Sequence, residues 1–119
     1  MARSRAIAAA GPVAAAVCAL ALAVLQLGAA DRALAAPVTH TVVMEAVAFT
    51  PNTLTVAKGD TVVWVNKDAF PHTATAQDKS FDSKEIAAGK SWRFTAKKAG
   101  SFPYICTLHP TMKGTLVVK

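Results

Sequence analysis

Downstream of Pro37 the sequence never holds one hydrophobic pattern for more than about seven residues before a turn signal interrupts it. The runs are "THTVVME" (Thr39–Glu45), "TLTV" (Thr53–Val56), "TVVWVN" (Thr61–Asn66), "HTATA" (His72–Ala76), "SWRFTA" (Ser91–Ala96), "FPYIC" (Phe102–Cys106) and "GTLVVK" (Gly114–Lys119). Each is rich in Val, Thr or aromatics and most alternate apolar with polar, which is the period of a half-buried strand. Pro51-Asn52, Lys58-Gly59-Asp60, Ala88-Gly89-Lys90 and Ala99-Gly100-Ser101 punctuate them. Short strands at this spacing point to an all-β sandwich or barrel. Alternation places Val62, Trp64 and Asn66 on one face of their strand, and Trp92 and Phe94 on one face of another; these aromatics are read as core. Pro103 inside a run points to an edge or a bulge. Ala76–Ala88 carries charge without a period and reads as a long connection with one helical turn.

The N-terminal part follows different rules. Arg3 and Arg5 precede a stretch, Ala6–Ala30, without a single charge, and Ala33-Leu34-Ala35 is a small-residue cleavage site. This is the layout of a secretory signal peptide, residues 1–35, and it leaves a single mature domain, residues 36–119. An uncleaved membrane anchor is the alternative, weakened by Pro12 and the cleavage site. The expected location is the periplasm. Of the net charge of +6, the leader takes part, and the remaining lysines are scattered. Scattered lysines are a solvated surface rather than a nucleic-acid stripe, so no nucleic acid is expected as a partner. The domain is expected to be monomeric.

The chain has two cysteines and three histidines. Cys18 lies in the apolar leader, so the mature domain keeps only Cys106, in an oxidising compartment where no internal disulfide can form. A lone thiol there is either inert and buried or held by something. Its neighbourhood favours the second. "CTLHPTM" sets Cys106, His109 and Met112 three residues apart. Singly, a cysteine or a methionine is more often core than ligand; their joint spacing reverses that. A structural zinc site calls for several cysteines, c-type haem for C-x-x-C-H, and an iron–sulfur cluster for about four cysteines. One thiolate, two imidazoles and a weak thioether are the donor set of a blue-copper electron-transfer centre. For the second imidazole, His72 in "DAFPHT" is chosen over His40 in "VTHTV", because Pro71 stiffens its loop and His40 reads as an exposed strand residue.

The stretches "AFTPNTLTVAKGDTVVWVNKDAFPHT" and "GSFPYICTLHPTMKGTLVV" resemble the cupredoxins, the type 1 blue copper proteins, and within them most closely the amicyanin and plastocyanin-like group. The resemblance runs from about Met44 to Lys119. It implies a Greek-key β-sandwich of seven to eight strands and one copper ion held by His72, Cys106, His109 and Met112. It implies an electron carrier, not an enzyme, since copper oxidases and nitrite reductases need more histidines than this chain has. It also implies an exit for electrons at His109, within an apolar patch of Phe70, Pro71, Leu108 and Pro110, for brief docking with a periplasmic dehydrogenase, a cytochrome c or a copper enzyme. In short-loop relatives the last histidine can protonate when the copper is reduced. Many relatives carry an asparagine after the first histidine where this chain has Thr73, so the bond across to the ligand loop must be made differently. Copper storage or delivery is the competing function, but it usually relies on open Met- and His-rich sites, and the mature domain has only Met44 and Met112.

Overall fold

In the computed structural model the described residues are 35–119, with residue 11; the leader reading falls outside them. Eight strands form in the order β1 (Thr39–Glu45), β2 (Ala48–Thr50), β3 (Thr53–Val56), β4 (Thr61–Asn66), β5 (Thr75–Ala76), β6 (Ser91–Thr95), β7 (Gly100–Cys106) and β8 (His109–Val118). They make two four-stranded sheets, β2-β1-β4-β6 and β3-β8-β7-β5. The chain passes repeatedly from one sheet to the other. As a result, β1 pairs with β4 and β3 with β8 in parallel, while the remaining ladders are antiparallel. This is the sandwich that the runs and the resemblance predict.

Alternation decides which side chains meet between the sheets. Along β4, Val62, Trp64 and Asn66 are buried and their neighbours half-buried. Trp64 lies 5.5 Å from Tyr104 of β7, nearly perpendicular, and 5.5 Å from both Trp92 and Phe81. Phe49 meets Tyr104 edge-on at 4.7 Å. Such offset and edge contacts let large rings fill the space between two sheets. Trp92 and Phe94 stack at 5.9 Å and are half-buried against this cluster, as their shared face predicts. Residues Ala36–Lys119 form one compact unit around it.

Several boundaries differ from the sequence reading. β2 is additional: Ala46 and Val47 both adopt left-handed φ, 52° and 56°, and reverse the chain without glycine or asparagine, so no turn signal announces it. β5 is only Thr75–Ala76, and β8 begins at His109 rather than Gly114. The Ala76–Ala88 connection contains no helical turn; bridges His72↔Ile86 and Thr75↔Asp82 pin it to the sheet edge instead. Pro103 lies on β7, which has a neighbour on either side, so it is not on an edge strand. The two-residue β5 ends beside it, and its carbonyl accepts from Gln77 N–H. The ladder irregularity falls at Ile105/Cys106, two residues further on. His40 is not a free exposed side chain but half-buried, with Nε2 2.9 Å from Asp60 Oδ2.

Candidate metal centre

Three structural pieces converge at one end of the sandwich. The first is the segment that follows β4. Asn66, fully buried at the end of that strand, donates from Nδ2 to Phe70 O (2.8 Å) and Ile86 O (2.9 Å), while its Oδ1 accepts from Asp68 N–H at 2.9 Å. A buried polar side chain must satisfy its bonding groups. Here that requirement folds residues 66–70 into a tight loop. His72 then pairs with Ile86 through both backbone groups, N–H to O at 3.1 Å and the reverse at 2.7 Å. The imidazole is wholly buried as a result.

The second and third pieces are the ends of β7 and β8. Cys106 closes β7, His109 opens β8, and the two pair across the turn at Thr107-Leu108. Cys106 is buried, His109 half-buried. Their ring and sulfur atoms point inward: Cys106 Sγ is 3.6 Å from His72 Nδ1 and 3.7 Å from His109 Nδ1. The three donor atoms all lie within 4.8 Å of one another. Met112 is buried three residues beyond His109 on the same strand.

The imidazole tautomer of His72 follows from its surroundings. Nε2 is 2.7 Å from Asp68 Oδ2. An ionised carboxylate only accepts, so Nε2 donates to Asp68 and Nδ1 is the ring nitrogen that faces the centre. This same bond holds the Asp68 carboxyl below its ordinary value, with help from the Val47 and Ala46 amides. Cys106 Sγ accepts from Thr73 N–H at 3.3 Å, which fixes the position of the sulfur.

Thr73 cross-links the segment carrying His72 to the turn between Cys106 and His109. Its Oγ1 accepts from Thr107 N–H at 2.9 Å and lies 3.1 Å from Thr107 Oγ1, and Thr75 Oγ1 donates to it at 3.1 Å. Above the two imidazoles sits Phe70, 5.1 Å from His72 and 5.5 Å from His109, with 41% of its surface open to solvent. Leu108, at the hairpin tip, is 44% exposed. Pro71 is half-buried and Pro110 exposed. The structure thus brings together the His72, Cys106 and His109 donors. His40, on the strand residue paired with Val62, lies toward the opposite end of β4 from Asn66 and takes no part.

Sequence reasoning missed Asn66 and Asp68 as supports of this site. Asn66 carried a usable signal: alternation places it on the same inward face as Val62 and Trp64, where a polar group has to be bonded. Asp68 carried none, because an aspartate two residues after a strand is an ordinary loop residue.

Two imidazole nitrogens and one buried cysteine sulfur, with a thioether nearby on the strand of His109, are chemically suited to a copper ion. The comparisons agree with that fit. A family model described as a cupredoxin-like domain matches residues 16–118. The chain is similar to amicyanin-alpha of Methylorubrum extorquens, 31% identical over 105 residues that cover 83% of this chain and 88% of that protein. It is also 31% identical to an amicyanin of Paracoccus versutus over 71 residues, covering 56% of this chain; the chain spans about half (54%) of that relative's length. Among solved structures, the copper(I) form of an amicyanin variant has a TM-score of 0.65 at 29% identity, covering 73% of this chain and 88% of that one. A copper-containing nitrite reductase from Thermus scotoductus also reaches 0.65, at 33% identity, covering 71% of this chain but 23% of the enzyme.

Proposed function

The chain belongs to the cupredoxin-like family, and from that premise we propose that it is a periplasmic blue copper protein that carries single electrons between redox partners. His72, Cys106, His109 and Met112 would hold one copper ion. The observation that carries the reading is the convergence of His72 Nδ1, His109 Nδ1 and Cys106 Sγ at one buried point.

A bound copper ion would supply a one-electron couple. The protein's part is to keep the donors where they are in both oxidation states. His72 is locked by Asp68 on one side and by its backbone pairing with Ile86 on the other. Cys106 is fixed by Thr73 N–H and by the hairpin that sets it opposite His109. Burial excludes water, and so opposes the extra charge of the oxidised ion. His109 is the half-buried member, which makes it the natural exit for the electron. The exposed Phe70, Leu108 and Pro110, with Pro71, form the apolar face on which a partner would dock. A small apolar contact suits short encounters with a dehydrogenase, a cytochrome c or a copper enzyme.

The carrier reading is favoured over storage and delivery by the closed site, since His72 and Cys106 are wholly buried. It is favoured over catalysis by the presence of a single donor cluster among the described residues. We place the carrier in the periplasm as a monomer, with residues 1–35 removed on export; N-terminal sequencing of the exported protein should begin at Ala36. The central test is to add copper(II) to the purified domain. An intense visible thiolate-to-copper band is expected, and it should disappear in Cys106→Ser. A colourless wild-type complex, or colour that survives the serine, overturns the reading. Slow loss of copper to a chelator is expected of a carrier; rapid loss would favour delivery.

A further inference from the structure

Asp68 serves two parts of the molecule with one carboxylate. Oδ2 accepts from His72 Nε2–H at 2.7 Å and also from Val47 N–H at 3.1 Å, while Oδ1 accepts from Ala46 N–H at 2.8 Å. Ala46 and Val47 are the two left-handed residues that close the β1–β2 hairpin. Neither is suited to that backbone, and a β-branched side chain is the less suited of the two. Asn-Gly is the usual pair in such a turn. The amides of this turn point at Asp68, and Asp68 is anchored from the other side by its own N–H on Asn66 Oδ1. The carboxylate is therefore held in place from several directions, and its remaining lone pair is aimed at His72.

We propose that Asp68 is the positioning residue of the metal centre: clamped by the amides of Ala46 and Val47, it fixes the His72 ring and its Nε2–H tautomer so that Nδ1 faces Cys106. The proposal rests on the assignment of His72 as a ligand. An anion on the far side of the imidazole makes Nδ1 more basic and favours the more highly charged state of a bound ion. An uncharged amide cannot replace it. An asparagine with its oxygen at the Oδ2 position would turn its NH2 onto the Ala46 N–H, and with its nitrogen there it would oppose Val47 N–H and donate to the ring; either orientation loses part of the clamp together with the charge.

The test starts from metal-free protein, with nitrogen-edited NMR of the His72 ring. The wild type should show one Nε2–H tautomer with a proton slow to exchange. Asp68→Ala should lose that signature, and Asp68→Asn should weaken it. After copper is added, both should bind about tenfold to a hundredfold more weakly, and their reduction potential should rise. A third variant separates positioning from support. It combines Asp68→Ala with Ala46→Asn and Val47→Gly, giving a turn that needs no carboxylate. This variant should recover the hydrogen-exchange protection of the hairpin but neither the tautomer signature nor the affinity. If it recovers all three, Asp68 is only a brace and the proposal fails. An unchanged ring signature in Asp68→Ala also defeats it. Should the wild type bind no copper, the ligand assignment falls on its own, whatever the ring spectrum shows.

Discussion

Thr73 shows how much one hydroxyl can hold. It accepts the Thr107 amide, and so ties the segment carrying His72 to the turn between Cys106 and His109. Thr73→Val keeps the shape and removes the acceptor, leaving Thr107 N–H without its partner. The expected loss is about 1–2 kcal/mol of stability, read as a lower Tm, together with faster copper release to a chelator. Gly114 is a second position governed by one contact. It sits opposite Tyr104 in the β7–β8 ladder, and a Cβ there would collide with the phenol ring and its hydroxyl. Gly114→Ala should therefore cost about 1–3 kcal/mol in a denaturant melt. Among the described residues the Tyr104 hydroxyl is buried without a partner in hydrogen-bond geometry, as is Trp64 Nε1. Burial raises the phenol pKa to about 12, tempered by the nearby indole N–H. Tyr104→Phe should accordingly change stability by less than about 1 kcal/mol. At this scale the cluster of His72, Cys106 and His109 was legible because Cys and His at fixed spacing have few other uses in a domain this poor in them. Asp68 was not, because its role depends on a turn distant in sequence.

Among the elements, the β7–β8 hairpin matters most to the site. Its two strands are joined at Thr107-Leu108, so the whole donor set after His72 is carried by one turn and the strand behind it. The sequence reading began β8 five residues late, since "HPTMK" has neither alternation nor β-branched density, and pairing with β7 alone makes it a strand. It missed β2 for a related reason: three residues following a glycine-free reversal look like loop. Strands with clean alternation, such as β1, β3 and β4, were legible to the residue. At the hairpin tip, Leu108→Asp should slow electron transfer to a partner by roughly tenfold, the worth of one buried leucine contact, and leave the visible spectrum unchanged. An altered spectrum with normal transfer would contradict the docking role.

For the whole molecule, the largest single contribution to acid sensitivity is expected from Asp60, at the end opposite the candidate donors. Asp60 accepts from Val38 N–H (2.9 Å) and Ala57 N–H (3.0 Å) and pairs with His40 Nε2. These bonds, that from Val38 foremost, lower its pKa from 3.8 to about 2. A carboxyl whose folded pKa is depressed stabilises the fold above its unfolded value and loses that contribution as the pH falls through the folded one. Thermal melts should therefore show stability declining between about pH 4 and pH 2, and Asp60→Asn should remove that part of the slope. The same architecture governs how these molecules meet each other. The outermost strands of the two sheets, β2, β6, β3 and β5, span three, five, four and two residues. Rims this short give a neighbouring chain little ladder on which to add a strand. Crowded copies of the domain should collide and part without polymerising, which is what a diffusing shuttle requires.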